Sequence, residues 1–459
     1  MKTAFWFRRD LRVYGNEALI DAVNEGAQDA LFFYCKSQWL QHNVASIQLD
    51  LLERRLIELG KQLNEFGITL HIIEADRFAT LPALLENVCK EKGITRLYAN
   101  KEYEVNEIAR DDACSQRLEL KLYDGDVIAK PGTVLTGSGE MFKVFTPFKK
   151  AWLKCFAGQH FHFPSWPLDK RKHAEFAEPD FFSATMESEK WPVDDNAIVA
   201  IVNRFIKDKL TDYKEDRDFP AIKGTSGLSP YLALGVVSPK QLIAQIQLHY
   251  PEVLENPSKA EFCWVNEIIW REFYRHLIVA FPKLCKGFNF NEKYNAVSWR
   301  DDNQAFERWC QGNTGYPIVD AAMRQLNKTG WMHNRLRMIV ASFLTKHLLI
   351  DWRKGEAYFM SKLIDGDLAS NNGGWQWAAS TGCDAQPYFR IFNPITQSEK
   401  FDPDGSFIRT YVPELKNVPA KHIHFPHDYL NAFGGGDKYV AALVDHKEAR
   451  ARALDAFKV

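Results

Sequence analysis

Short apolar runs alternate with amphipathic helical stretches through the first 125 residues of the chain. Runs typical of buried strands cover residues 3–7, 30–34, 69–73 and 96–99, and helical patterns lie near residues 17–25, 47–66 and 81–92. Strands separated by helices pair in parallel, because each crossover helix returns the chain in the same direction. The sequence therefore predicts an α/β domain with a parallel, Rossmann-like sheet. It lacks the GxGxxG fingerprint of dinucleotide-binding sheets, so the topology alone names no ligand.

The strand and helix rhythm stops near residue 130. Prolines and glycines then interrupt the chain at Pro131, Gly132, Gly137, Gly139, Pro147, Pro164, Pro167, Pro179 and Pro192. This stretch has little periodicity and predicts a long linker. Helical periodicity dominates afterwards, in residues 196–211, 239–249, 258–281, 301–310, 317–329, 334–346 and 351–364. We therefore expect an α/β domain over residues 1–130, an interdomain linker over 131–195 and an all-α domain over 196–459.

The composition is that of a globular protein and leaves the ligand open. The chain has 459 residues, of which 46% are hydrophobic and 25% charged, so disordered and coiled-coil classes are excluded. Its formal net charge of −1 lacks the basic excess of a typical nucleic-acid binder, so any basic surface must be local. The 13 Trp, 32 Phe and 16 Tyr can fill a core or line an aromatic ligand site.

Neither a disulfide framework nor a metal site is expected. The eight cysteines contain no CxxC pair and have no histidine pair at zinc spacing. Charged residues 8–10 follow the first apolar run before a signal peptide can form, and no later run approaches the roughly 18 apolar residues of a membrane span. We expect a reduced, cytoplasmic protein.

One predicted helix carries a face that is both aromatic and polar. Trp264, Glu267, Trp270 and Arg271 are separated by the three- and four-residue spacings that place side chains on one side of a helix. Flat indole rings beside a carboxylate suit a planar, polar ligand such as a nucleobase. A core face with an ordinary Glu267–Arg271 ion pair has the same pattern, so both interpretations stay open.

Basic residues are concentrated between residues 321 and 355. Seven lysines and arginines stand there against one acid, a local excess of six. Aromatic residues such as Trp331 and Trp352 are interleaved with them. The stretch is compatible with a phosphate-binding surface and equally with a solvated helical face.

Two loop-like segments carry further candidate groups. Residues 224–230 combine hydroxyls and glycines ahead of a helix, a pattern that suits either a pyrophosphate or a simple turn and helix cap. Asp365 and Asp367 are not followed by a third carboxylate at calcium-loop spacing, so we expect no metal there. Asn371 either shapes a turn or faces a ligand.

Taken together, these segments resemble the DNA photolyase/cryptochrome family, most closely the bacterial class I photolyases that act on cyclobutane pyrimidine dimers. The resemblance extends from residues 5–12 to Arg409 and is strongest at residues 264–274, 330–338 and 365–377. Several long motifs in one order are more specific than any single motif. The family fold, an α/β domain, a long linker and a helical FAD domain, agrees with the organisation predicted above.

The resemblance implies a light-driven DNA repair enzyme that binds FAD, active as the fully reduced anion. It assigns cofactor binding to Tyr213, Thr225, Ser226, Leu228, Ser229, Trp264, Arg271, Arg337, Asp365, Asp367 and Asn371. Within that set, Asn371 would face flavin N5 and Arg337 would pair with Asp365. It assigns the flipped-out dimer to Glu267, Trp270, Asn334, Arg335, Met338 and Trp377. The groups expected to act in catalysis are Glu267, Asn371, Trp375, Trp352 and Trp299.

The resemblance also implies electron-transfer and antenna groups. Trp375, Trp352 and Trp299 correspond to the family's electron-hopping chain. A folate antenna, methenyltetrahydrofolate, is expected at His42, Asn43, Asn106, Glu107, Cys285 and Lys286. The implied partner is DNA that contains cyclobutane dimers, and we expect a monomer without a membrane segment, associated with the bacterial nucleoid.

Other functions remain in competition. A (6-4) photolyase would be expected to carry histidine near Asn334 and Met338. Asn371 fits photolyases better than cryptochrome photoreceptors, and the chain stops near Val459 without a long signalling tail. A DASH-type cryptochrome, which repairs mainly single-stranded DNA, is harder to separate, although Trp270 favours the duplex enzyme. A light-independent flavoprotein or nucleotide-binding scaffold is the remaining alternative.

Overall fold

A computed structural model describes residues 2–170 and 186–459. Residues 171–185, which belong to the predicted linker and include Pro179, lie outside the described residues. The chain divides into two compact units. The first unit comprises residues up to Thr211, Ser226–Cys285 and Asp365–Ala369, and the second comprises Asp212–Thr225, Lys286–Ile364 and Ser370–Val459. These units do not divide the chain at residues 130 and 195, so those domain boundaries stay predictions.

The first unit is built on a five-stranded sheet with the order β3-β2-β1-β4-β5. Its strands are β1 (Lys2–Phe7), β2 (Asp29–Tyr34), β3 (Thr69–Glu74), β4 (Ile94–Asn100) and β5 (Glu119–Tyr123). All neighbours pair in parallel, with Phe5 of the central strand opposite Ala30 and Tyr98. The predicted parallel α/β sheet is confirmed. The edge strand β5 was not predicted, because its residues are only partly buried and alternate with charged Glu119 and Lys121.

The helices formed by the described residues are numbered in chain order. The first eleven are α1 (Glu17–Asn24), α2 (Lys36–Gln41), α3 (Ser46–Glu65), α4 (Leu81–Lys92), α5 (Val105–Ser115), α6 (Phe145–Phe156), α7 (Asp195–Asp208), α8 (Tyr213–Asp216), α9 (Ser229–Ala233), α10 (Pro239–His249) and α11 (Phe262–Ala280). The rest are α12 (Asn303–Gln311), α13 (Pro317–Thr329), α14 (Asn334–Ser342), α15 (Trp352–Met360), α16 (Leu368–Ala379), α17 (Pro394–Phe401), α18 (Ser406–Tyr411), α19 (Ala420–Ile423), α20 (His427–Ala432) and α21 (His446–Ala456).

Helix α6 lies inside the segment that the sequence predicts as an irregular linker. Its Pro147 occupies the first turn, where the missing N–H has no helical partner to lose. Phe145, Phe148 and Trp152 are buried at positions that share one face of the helix. The expectation of little periodicity is therefore wrong at Phe145–Phe156, because the proline is compatible with a helix start.

The second unit has a helical core. Helix α13 packs against α12, α14 and α18, and its apolar residues belong to a continuous buried cluster with Trp309, Trp352 and Trp375. Helix α14 ends in a π-helical turn, Phe343–His347, whose residues are all buried. Every regular element described after residue 195 is helical, which confirms the predicted helical character of this half.

Candidate functional site

Helix α11 belongs to the first unit and carries the predicted aromatic and polar face. Trp264 is buried, with its ring centroid 5.3 Å from that of Phe205. Glu267 and Trp270 are half-buried. The indole of Trp270 lies parallel to the ring of Phe145, with 3.6 Å between centroids and 8° between planes. One face of Trp270 is thus covered by a residue of helix α6 that the sequence analysis did not select.

Two arginines of α11 form a buried charge network with two aspartates of the first unit. Arg271 donates through Nη1 to the carbonyl oxygen of Asp126 at 2.6 Å and pairs through Nη2 with its carboxylate. Arg275 donates to Asp126 at 2.7 Å and binds Asp367 in a bidentate pair at 2.8 and 3.0 Å. Burial works to raise the pKa of Asp126, but the two guanidinium charges outweigh it and hold that pKa below its ordinary value. Arg271 and Asp367, both predicted cofactor residues, therefore lie in one network.

Asp126 and Arg275 were missed by the sequence analysis. Arg275 stands one helical turn after Arg271 and is readable from the spacing. Asp126 is 145 residues from Arg271, so only the tertiary fold reveals it.

The predicted phosphate loop is divided between the two units. Tyr213 and Thr225 belong to the second unit, and Ser226, Leu228 and Ser229 to the first. The Ser226 hydroxyl accepts a hydrogen bond from the Leu228 N–H at 3.3 Å. Gly227 has a φ of +69°, and a Cβ placed there would meet no described atom within 4 Å. The loop is therefore shaped around a glycine that faces open space.

Helix α14 presents several predicted dimer-binding residues in the second unit. Asn334 is exposed in its first turn, and Met338 follows one turn later, half-buried. Arg335 is ion-paired with Asp218 at 2.8 Å, and its guanidinium lies 4.4 Å from the ring centroid of Phe401. Arg337 donates to the Met332 carbonyl at 2.8 Å.

Two residues of the basic stretch of residues 321–355 are engaged in internal contacts. Lys346 is fully buried and donates to the Ala379 carbonyl and the Ser380 hydroxyl. Arg324 is ion-paired with Glu414 at 2.8 Å. The count of basic residues therefore overstates the charge that this stretch offers to a phosphate.

Helices α15 and α16 of the second unit are connected by a set of hydrogen bonds between polar groups. The Asn371 Nδ2 donates to the Glu356 carbonyl oxygen at 3.0 Å, which orients the predicted flavin-facing amide. Asn372 donates to the Glu356 carboxyl at 2.8 Å and accepts from Gln376 at 3.0 Å. Burial raises the pKa of Glu356 to about 7. The sequence analysis missed Glu356, which lies one residue beyond the basic stretch that it counted.

The three predicted electron-hopping tryptophans all belong to the second unit. Trp352 and Trp375 are buried, and Trp299 is half-buried. The Trp375 ring lies 4.9 Å from Phe359 and 6.0 Å from Trp309, measured between centroids. Trp352 Nε1 donates to Asn289 Oδ1 at 2.9 Å, and Trp299 packs against Phe457. Trp377, a predicted dimer-binding residue on the same helix as Trp375, packs against Phe392.

Within residues 2–170 and 186–459, no three His, Cys, Asp or Glu side chains are grouped as metal ligands. The same part of the chain has no helix with the length and apolar character needed to cross a membrane.

Comparison with known proteins gives the family. Residues 3–167 match a DNA photolyase model, and residues 264–459 match the FAD binding domain of DNA photolyase. The chain belongs to the DNA photolyase family. It is 46% identical to a deoxyribodipyrimidine photo-lyase of Vibrio cholerae, with 99% of this chain and 98% of the relative covered.

Solved photolyase-family structures have the same fold. A class III photolyase from Agrobacterium tumefaciens is 36% identical, with a TM-score of 0.84 over 99% of this chain and 97% of that one. A cryptochrome from Synechocystis is 28% identical, with a TM-score of 0.84 over 99% of both chains. Both branches of the family therefore share this architecture.

The residues of this photolyase-family chain fit an FAD molecule. The Oδ1 atom of Asn266, on α11, is buried and accepts no hydrogen bond from the described residues. A buried amide oxygen without a partner suits a ligand that carries hydrogen-bond donors, as FAD does.

The predicted antenna residues lie in the first unit except Lys286, which belongs to the second. Cys285 lies close to Glu104 and Glu107, and burial raises the pKa of its thiol to about 11. Burial and the neighbouring carboxylates of Glu104 and Glu102 raise the pKa of Glu107 to about 7. A carboxyl group that titrates there can donate or accept a hydrogen bond, which suits the nitrogen-rich edge of a pterin. The remaining candidates are His42 and Asn43, which follow helix α2, and Asn106 of helix α5.

The predicted dimer-binding residues are also divided between the units. Glu267 and Trp270 lie in the first, and Asn334, Met338 and Trp377 in the second, together with Arg335. The predicted partners Arg337 and Asp365 likewise belong to different units. A common pocket formed by these groups stays a prediction.

Proposed function

We propose that this chain splits cyclobutane pyrimidine dimers in DNA, using light absorbed by reduced FAD. The observation that carries the proposal is the 46% identity to a deoxyribodipyrimidine photo-lyase over 99% of the chain. The FAD-binding match over residues 264–459 identifies the cofactor.

The dimer must leave the duplex before the proposed dimer-binding residues can reach it. Enzymes that act on a base, photolyases among them, extrude the base into a pocket, and a damaged pair costs less to unstack than a normal pair. We assign the walls of the pocket to Trp270 and Trp377, with Met338 packing beside the dimer. The stacking of Phe145 on Trp270 supports this role, because it presents the indole as a fixed flat surface. Arg335 binds a flanking phosphate.

Glu267 and Asn334 recognise the polar edges of the dimer. An amide both donates and accepts, so Asn334 can bind a carbonyl and a ring N–H together. Glu267, when protonated, donates to a carbonyl oxygen of the dimer that becomes more negative as the dimer gains an electron. A donor placed at developing charge stabilises it without further reorganisation.

FAD, when bound and reduced, supplies the electron that splits the dimer and recovers it afterwards, so the reaction has no net redox change. The residues proposed to hold its phosphates and ribityl chain are Tyr213, Thr225, Ser226, Leu228 and Ser229. Those proposed to line its flavin and adenosine parts are Trp264, Arg271, Arg337, Asp365, Asp367 and Asn371. The hydrogen bond from Asn371 to the Glu356 carbonyl supports its role, because it fixes the orientation of the amide.

Two further roles belong to the same proposal. Trp375, Trp352 and Trp299 pass an electron from the surface to oxidised flavin, and their place in one unit supports this route. Methenyltetrahydrofolate binds at the antenna residues. The titration of Glu107 near neutral pH supports that site, since a pterin edge needs both donors and acceptors.

The second candidate function is that of a cryptochrome, either a photoreceptor or a DASH-type enzyme for single-stranded DNA. The observation that favours it is the TM-score of 0.84 to a cryptochrome. The identity to that structure is 28%, against 46% for the photo-lyase.

One experiment separates the candidates. Purified FAD-loaded protein is mixed with a dimer-containing duplex, divided between blue light and darkness, and followed by the return of thymine absorbance. We expect dimers to disappear in the light only. Repair restricted to a single-stranded version of the substrate would assign the DASH-type activity, and tight binding without repair would assign the photoreceptor.

We further propose that the enzyme acts as a monomer in the cytoplasm, at the nucleoid where its DNA substrate lies. Sedimentation with and without damaged duplex checks this state, since one protein per lesion is expected.

A further inference from the structure

A short segment that carries two of the proposed FAD-binding aspartates belongs to the first unit, although the chain on both sides of it belongs to the second. The segment is Asp365–Ala369. Asp365, Gly366 and Asp367 are all buried within it. The contacts that hold this segment in the first unit therefore decide where the two carboxylates lie.

One of these contacts comes from helix α3, which belongs to the part of the first unit that forms the sheet. Gln48 Nε2 donates to the carbonyl oxygen of Gly366 at 2.9 Å, across 318 residues of sequence. Gly366 stands between the two aspartates. The amide of Gln48 therefore holds the backbone at the point from which both carboxylates project.

Gln48 is buried on a helix face that is otherwise mainly apolar. It is 6% exposed, and Ile47, Leu51 and Leu52 beside it on α3 are buried as well. A buried amide destabilises a fold unless it is hydrogen-bonded. The bond to Gly366 satisfies this donor, and its loss would take a donor away from a buried carbonyl oxygen.

A second contact fixes the carboxylate at the other side of Gly366. Arg275 of α11 binds Asp367 in the bidentate pair at 2.8 and 3.0 Å. Arg9, which follows β1, lies close enough to Asp367 for their charges to interact. The segment is thus held both by its backbone and by one of its side chains. Groups that are ordered before their ligand arrives bind it at a lower entropic cost.

We propose that Gln48 is a positioning residue for FAD, because it holds the segment Asp365–Ala369 in the place where Asp365 and Asp367 meet the cofactor. Gln48 lies outside residues 264–459, which match the FAD binding domain. The inference rests on the proposed contact of the two aspartates with FAD. It extends the support of the cofactor site to helix α3.

The rate at which FAD leaves the loaded protein measures this role. Gln48→Met keeps the length of the side chain and a good helix former, but it removes the donor. We expect FAD to leave about five- to tenfold faster, the change that corresponds to one buried hydrogen bond. Release is followed in the dark by the rise in flavin fluorescence after dilution. The visible circular dichroism of the bound flavin should also change, because it reports on the groups around the ring.

Gln62→Met is the matched control. Gln62 lies on the same helix, and its Oε1 accepts no hydrogen bond from the described residues. Its release rate and flavin circular dichroism should equal those of the parent. If Gln48→Met melts at a lower temperature but keeps the release rate and circular dichroism of the parent, Gln48 supports the fold alone and the proposal is overturned.

Gln48→Glu tests the donor directly. A protonated carboxyl donates to a carbonyl oxygen as the amide does, whereas a carboxylate cannot. Release from Gln48→Glu, taken relative to the parent at each pH, should therefore approach that of the parent as the pH falls. Asp365, Asp367, Arg9 and Arg275 surround the segment in every variant, so the ratio to the parent removes their titration. A ratio equal to that of Gln48→Met at every pH would overturn the proposal.

Asp365→Asn separates this inference from the proposed function. If Asp365→Asn releases FAD faster than the parent and Gln48→Met does not, the contact of the aspartate with FAD stands and the role of Gln48 is wrong. If neither variant changes the release, the proposed contact of the aspartate fails together with the role of Gln48.

Discussion

Trp270 of helix α11 lies flat on Phe145 of helix α6, with 3.6 Å between the ring centroids and 8° between the planes. The same indole is flanked by Phe273 and Tyr274, at 5.8 and 5.6 Å between centroids. Contacts on several sides restrict the rotamers of Trp270, and restricting a binding group before its ligand arrives lowers the entropic cost of binding. A residue of the predicted linker thus helps to build the proposed dimer pocket.

Replacing Phe145 tests this positioning role. Phe145→Leu keeps most of the buried volume but removes the flat ring, so Trp270 loses its support. We expect about two- to tenfold weaker binding of dimer-containing duplex, the range that corresponds to one aromatic pair, with flavin content unchanged. Val144→Ala, at the neighbouring exposed position, should bind normally. Trp270→Ala should weaken binding further, and an unchanged affinity in that variant would remove Trp270 from the pocket.

Substitutions of Glu267 separate binding from catalysis. Glu267→Gln keeps a side chain that can hydrogen-bond to the dimer, whereas Glu267→Ala removes the group. Because the proposed hydrogen bond strengthens as the dimer gains negative charge, we expect a several-fold lower repair quantum yield in Glu267→Ala, with a smaller change in binding. Glu267→Gln should lie between that variant and the parent. Quantum yields and duplex affinities are measured on the same preparations, and an unaltered yield in Glu267→Ala would contradict the role.

The aspartate shared by Arg271 and Arg275 controls stability in acid. The pKa of Asp126 is held below its ordinary value of 3.8, so its ion pairs stabilise the fold above that pH and are lost as the pH falls through the lowered pKa. Asp126→Asn leaves two buried guanidinium groups short of a partner, and we expect a cost of about 3 kcal/mol at neutral pH. Thermal melts against pH should show a smaller acid-dependent loss in the variant than in the parent.

The control for Asp126 is Glu119→Gln. Glu119 also pairs with an arginine of the first unit, Arg96, but its side chain is 45% exposed. Exposed pairs contribute about 0–1 kcal/mol, so this variant should melt close to the parent. Equal destabilisation by both substitutions would show that burial does not increase the contribution of the Asp126 ion pairs to the stability of the fold.

The sheet was predictable because its strands are nearly continuous apolar runs. Such runs are typical of parallel strands, since both faces of a parallel sheet are covered by helices. Strands β1 to β4 were predicted to within two residues at either end. The partly polar strand β5 was missed because half-buried edge residues carry no such run. Helix α6 was missed because Pro147 was interpreted as a break, although a proline in the first turn is compatible with a helix.

The candidate site was predictable only along single helices. The side-chain face of α11 follows from helical spacing, and so does the placement of Asn334 and Met338 on α14. Partners from distant segments carry no local signal: Asp126 meets Arg271 across 145 residues, and Phe145 meets Trp270 only after both helices have packed. Charge counting likewise failed for Lys346, because burial is decided by tertiary packing rather than by the neighbouring sequence.

Glu356 is expected to give a pH dependence of the opposite sign to Asp126. Burial raises its pKa from 4.5 to about 7, so the folded state holds a proton that the unfolded state releases above about 4.5, and stability falls as the pH rises through this window. Glu356→Gln keeps an acceptor for Asn372 without a charge. The variant should be more stable than the parent by about 1–3 kcal/mol above pH 7, with the difference vanishing near pH 4.5. A difference that is constant across the pH range, measured by denaturant unfolding, would contradict the titration.

Arg335 has an ion-pair partner and a proposed phosphate partner, and the salt dependence of DNA binding distinguishes them. A group that neutralises one phosphate contributes about 0.9 to the slope of log affinity against log salt, so Arg335→Gln should lower that slope by about this amount and weaken damaged and undamaged duplex alike. Arg324→Gln is the matched control, because Arg324 is ion-paired with Glu414 at the same 2.8 Å that separates Arg335 from Asp218. Both variants lose an internal pair, so both should melt slightly lower, but only Arg335→Gln should change the slope. An identical slope in both variants would assign Arg335 to Asp218 alone and leave the flanking phosphate to another residue.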